Sequence, residues 1–126
     1  MSLQEFNRLL LEAVDEGLSM LGESSKQAIY FHLEKRFDIK KQEIPNKIEV
    51  FANAIEKIFG LGANFLEILI MKRLYERLGR SFKFYGSEDF TFTEYVAAAR
   101  RSFMEKKKPR KTAEGLVEYE EMAVKG

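Results

Sequence analysis

Chemistry in this chain would have to start from few groups: one histidine, His32, no cysteine at all, and one carboxylate, Glu67, set inside an apolar helical pattern. On a wheel of about 100° per residue, Glu67 falls among Ala63, Ile70, Met71 and Leu74. A carboxylate there must find donors, keep its proton to higher pH, or lie in a protein interface. It reads either as a buried acid lining a pocket or as a structural residue, paired with an Arg or Lys or favoured by the helix dipole near the start of its helix. The structural readings weigh more, because ion pairs also perturb buried acids. His32 has Ala28, Ile29, Lys35 and Arg36 at helical spacing, a half-exposed face beside two cations. A phospho-accepting histidine box has an acid directly after the His, then Thr or Asn and Pro four positions on. Leu33 and Arg36-Phe37 stand there instead, so His32 reads as a surface residue.

Phosphate motifs fail on similar grounds. Gly60-Leu61-Gly62 begins like a dinucleotide fingerprint, but Phe65 stands where the third Gly or Ala belongs, and a helix rather than a strand precedes it. No Gly-Lys-Ser or Gly-Lys-Thr occurs. Without cysteine, a disulfide framework and a thiolate metal site are both excluded. No cofactor is implied, and too little is left to assign a reaction, so the chain is expected not to be an enzyme.

The strong local charge feature is basic. Residues 1–99 carry 13 Lys+Arg against 15 Asp+Glu, residues 100–111 carry 7 against 1, and residues 112–126 carry 1 against 4. Arg100, Arg101, Lys106, Lys107, Lys108, Arg110 and Lys111 could neutralise several phosphates of a nucleic acid. Against that, no aromatic is interleaved after Phe103, and Glu114, Glu118, Glu120 and Glu121 compete for the same cations. A solvated helix end and linker is the favoured reading, and nucleic-acid binding the alternative.

These residues need elements to place them, and the pattern is helical. Leu3, Phe6, Leu10, Ala13, Val14, Gly17 and Leu21 recur at three- and four-residue steps, which predicts a helix over 2–21 ended by Gly22. Gly17 sits on its apolar stripe, where a helix can approach closely. Ser24 or Ser25 is the expected N-cap of a second helix to about Phe37, with Ile29, Tyr30, Leu33 and Phe37 inward. A connector, 38–45, leads to Pro45 as the first residue of a third helix carrying Ile48, Phe51, Ala52, Ile55, Ile58 and Phe59.

A fourth helix, about 63–78, is apolar on nearly every side at its start: Phe65, Leu66, Ile68, Leu69, Ile70 and Met71. Such a helix is surrounded by others or lies in a subunit interface, so it should be the central element. Phe82, Phe84, Tyr85, Phe90 and Phe92 then alternate with polar residues as a small hairpin or an aromatic loop. Thr91 and Glu94 have capping-box spacing before a fifth helix, 95–107.

The run from Leu21-Gly22 to Phe31-His32-Leu33-Glu34-Lys35, with Glu43-Ile44-Pro45, Phe51, Ile58-Phe59-Gly60-Leu61-Gly62-Ala63, Glu67, Ile70, Asp89-Phe90, Tyr95-Val96 and Ala99, resembles a family of archaeal helical domains, the Nitrosopumilus output domain type. The likeness spans roughly residues 5–105 and implies an α-helical output or interaction module, found alone or attached to signalling proteins, with no established reaction and no catalytic residues to carry over.

Length and composition agree with one domain. The 126 residues are 45% hydrophobic with a net charge of +1, and the abundant Glu, Lys and Arg lean toward heat adaptation. The longest apolar run, Tyr95 to Ala99, is five residues where a membrane span needs roughly 20. The start lacks a basic leader, so a cytoplasmic protein is expected. The expectation is therefore an all-α bundle of about five helices over 1–105, with a basic then acidic extension over 106–126. It is expected to be a self-associating interaction or regulatory module, a homodimer through the fourth helix or Gly17, with a signalling protein as a further partner.

Overall fold

The computed structural model describes residues 2–79 and 91–107. These residues form an all-α bundle of five helices without a strand: α1 (Leu3–Ser19), α2 (Glu23–Phe37), α3 (Ile48–Phe59), α4 (Ala63–Arg77) and α5 (Phe92–Lys107). Short 3₁₀ turns, Lys41–Asn46 and Gly60–Gly62, lead into α3 and α4. The aromatic connector before Thr91, and the extension after Lys107, lie outside the described residues.

The core is built on the antiparallel pair α1 and α4. Glu12 meets Arg77, Glu16 meets Arg73, and Gly17 meets Ile70, so the end of α1 lies beside the start of α4. A Cβ on Gly17 would stand 2.7 Å from Ile70 Cγ1. The stripe Phe6, Leu10, Ala13, Val14 and Leu18 is fully buried against Leu66, Ile70, Met71 and Leu74 of α4. α2 adds Ile29 and Leu33, α3 adds Phe51 and Ile55, and α5 adds Val96, Ala99 and Phe103. Two ring pairs hold α5: Phe6 with Phe103 at 5.8 Å and Phe51 with Phe92 at 6.2 Å.

Several boundaries differ from the sequence reading for local reasons. α1 stops at Ser19, and Leu21 is exposed. Neither Ser24 nor Ser25 caps α2; Gly22, at φ +101°, reverses the chain and the helix restarts at Glu23, whose acid suits the N-terminal dipole. Pro45 does not open α3. It sits buried with Ile44 inside the first 3₁₀ turn, Lys47 N–H donates to Ile44 O, and α3 begins at Ile48. The capping box forms as expected, with Thr91 N–H on Glu94 Oε1 at 2.9 Å and Glu94 N–H on Thr91 Oγ1 at 3.2 Å. It starts α5 at Phe92, three residues before Tyr95, which buries Phe92.

α4 is central together with α1 rather than alone, and among the described residues Phe65 on its first turn stays exposed. Gly17 is spent on this pairing inside the chain, so it offers no surface to a second copy. Replacing it tests the pairing. Gly17→Ala gains about 1 kcal/mol of helix propensity, but its methyl must displace the root of a branched, fully buried side chain, a clash of about 1–3 kcal/mol. We expect a lower urea midpoint for the variant; a raised midpoint would show that α1 and α4 have room at this level.

Candidate functional site

The inner face of α4 holds the one buried acid among the described residues, Glu67. Its side chain is 7% exposed, and its Oε2 has no hydrogen-bond partner among the described residues. Burial, reinforced by Glu56 on α3, pushes its carboxyl up to about 7. The structural partner expected from the sequence, an Arg or Lys, is absent among the described residues: the two arginines of α4 serve other acids, and Lys72 is exposed. Arg77 grips Glu12 at 2.7 Å and also Glu16, while Arg73 reaches Glu76 at 3.3 Å and Glu16 at 4.0 Å.

The outer face of the same helix is apolar and open. Leu61 is 99% exposed and Phe65 74%, with Ile68 and Leu69 half-buried beside them. Phe65 and Leu69 lie away from the buried set of Ala63, Leu66, Glu67, Ile70, Met71 and Leu74, Leu61 extends them from the turn before the helix, and Ile68 borders them while packing in part against the core. Because α1 and α4 are antiparallel, exposed Met20 and Leu21 belong to the same end of the bundle. Asn64 and Lys72 are exposed polar residues beside this face on α4, and Glu56 is exposed on the last turn of α3, just before the turn that leads into α4.

A second cluster, which the sequence did not announce, lies on the polar side of α1. Asp15 accepts from Lys26 Nζ at 3.0 Å and Tyr30 OH at 2.9 Å, and pairs with Lys41 at 3.2 Å. Burial opposes its charge, but these donors prevail and hold the Asp15 carboxyl below its usual range. Lys26 is buried, and its bond to Asp15 raises its own proton affinity. Desolvation, then the Asp15 carboxylate, pushes the Tyr30 phenol up. A groove of about 550 Å³ runs past this cluster, lined by Asn7, Arg8, Glu12, Asp15, Lys41 and Arg77. Its charged groups already satisfy one another, which is the signature of a structural network. Lysine and tyrosine at i+11 and i+15 from an acid give no sequence signal until the α1–α2 turn is known.

The basic segment is divided by the fold. Arg100 turns inward: Nη2 donates to Pro45 O at 3.2 Å, and the guanidinium lies 5.3 Å from the Phe6 ring centre. Arg101 is exposed on α5, and α5 runs through Lys106 and Lys107. Lys108, Arg110 and Lys111 lie outside the described residues. His32 is half-exposed, with its Nε2 3.4 Å from Arg36 Nη1. Gly60–Gly62 is a turn between two helices, with no strand-to-helix geometry for a phosphate. Among the described residues no group of three or more His, Asp or Glu could hold a metal ion, and no helix is long and apolar enough to cross a membrane.

Comparison with known proteins gives no family: no family model, no curated protein and no solved structure matches this chain.

The isolation of Glu67 is testable by pH. Its carboxyl ionises near 4.5 when unfolded and near 7 when folded, so the folded state holds the proton longer. The resulting penalty is absent below the unfolded value, grows as pH rises and is complete above the folded value. Glu67→Gln should therefore stabilise the protein at pH 8 by about 1–2 kcal/mol, a figure reduced for solvent reaching the rim near Glu56. The gain should fade toward pH 4. Urea titrations across this range check it, and a Gln variant less stable at pH 8 would mean that a cation pairs with Glu67.

Proposed function

We propose that this chain is a non-catalytic helical interaction module that associates with itself through the outer face of α4. One observation carries the reading: Leu61 in the turn before α4 and Phe65 on its first turn are exposed, beside half-buried Ile68 and Leu69, on a helix whose other side is core. Covering a Leu or Phe stabilises an assembly by about 1.5–3 kcal/mol per side chain. A contiguous apolar patch rimmed by polar residues is the usual mark of a protein contact. The satisfied Asp15 network supports binding over catalysis.

A regulatory role of signalling output type, with another signalling protein as partner, is the biological form of this reading. It rests on the sequence resemblance to the archaeal output domains and on the all-helical fold. A cytoplasmic setting fits the composition. The alternative, nucleic-acid binding through residues 100–111, loses Arg100 to Pro45 and Phe6 and is the weaker reading.

Sedimentation velocity over a concentration series tests the assignment. A reversible dimer at about 100 µM or below is expected, and Phe65→Asp should return it to a monomer with its helical spectrum intact. A wild-type chain that stays monomeric throughout would contradict self-association.

A further inference from the structure

We propose that the outer face of α4 is covered by α4 of a second copy lying antiparallel to it, with Lys72 of each chain brought to Glu56 of the other. This rests on the self-association proposed above and specifies its geometry.

The spacing comes first. Leu61, Phe65, Ile68 and Lys72 follow one another at steps of four, three and four, the seam spacing by which two helices interlock side chains. Leu61 stands in the turn that leads into α4, Phe65 and Lys72 lie opposite the buried residues of the helix, and Ile68 borders the core with part of its side chain open. From Leu61 to Lys72 the seam is about 16 Å long, a length suited to a reversible contact.

Charge then chooses the direction. Lys72 ends the seam on one side; it is exposed and makes no ion pair among the described residues, whereas Arg73, Arg77 and Glu76 are already engaged. Near the opposite end stands Glu56, exposed on the last turn of α3, likewise without an ion pair among the described residues. Glu56 is close enough to Glu67 for their charges to repel, and it stands beside the carbonyl end of α3, which also favours a cation. Lys57, next to it in sequence, is set about 100° further round α3.

A parallel pair would set Lys72 against Lys72 and Glu56 against Glu56. An antiparallel pair turns both repulsions into attractions, twice over by symmetry. The Lys72 stem can lie along Leu61 or Phe65 of the other copy while its ammonium reaches the acidic end. The unpartnered acids are thus completed by a residue of the second chain.

Charge exchange tests this. The dimer dissociation constants of the wild type, Lys72→Glu, Glu56→Lys and the double variant Lys72→Glu/Glu56→Lys would be measured by sedimentation equilibrium at low salt, with circular dichroism confirming the helical content of each. Each single change should loosen the dimer about tenfold or more, since two symmetric pairs become repulsive, and the double variant should recover wild-type association. Single variants that dimerise like the wild type, or a double variant looser than either single, would overturn the antiparallel geometry. If Phe65→Asp still yields monomers in that case, self-association through α4 stands while this arrangement falls. A monomeric wild type overturns both and leaves the face to a helix of another protein.

Discussion

The close contact between Gly17 and Ile70 fixes the rest of the molecule. Because α1 carries no side chain at that level, α4 settles against it, and the ridge from Phe6 to Leu18 closes over Leu66, Ile70 and Leu74. The ion pairs of Glu12 and Glu16 with Arg73 and Arg77 follow the same antiparallel register along the outside of the seam. Exposed pairs of this kind contribute little each; their value lies in holding the register that the buried contact sets.

Two consequences reach the functional site. Seating α4 this way turns Glu67 inward, away from Arg73 and Arg77 of its own helix, which the acids of α1 have taken. It also turns Leu61, Phe65, Ile68 and Leu69 outward. A helix with apolar residues on both sides can bury one of them against its own core, and the other is the face proposed above for a second copy. The Asp15 network has the opposite character: it buries Lys26 and holds Tyr30 with every charge answered, and it ties α2 and the first 3₁₀ turn to α1 without leaving chemistry to spare.

Much of this was legible in the sequence, and the failures have specific causes. Periodicity located the helices because an amphipathic stripe is a local property, and the wheel placed Glu67 on the inward side for the same reason. Gly17 was visible as a point of close approach, but which helix approaches depends on the packing of segments some fifty residues apart. The missing cation of Glu67 and the inward turn of Arg100 were hidden likewise, since residue type does not say which charges have been claimed elsewhere. The start of α2 was misplaced because a glycine at positive φ can restart a helix immediately, making a serine cap unnecessary. Pro45 was misplaced because its fixed φ suits a 3₁₀ turn as well as a first helical position.

If α4 packs with one face and meets a second copy with the other, amide chemical shifts recorded from dilute to concentrated solution should move only within residues 61–72 and the last turn of α3, with Gly17 and Ile70 unmoved. Shifts that cluster instead along the Asn7–Lys41 groove, or their absence at every concentration, would contradict that arrangement.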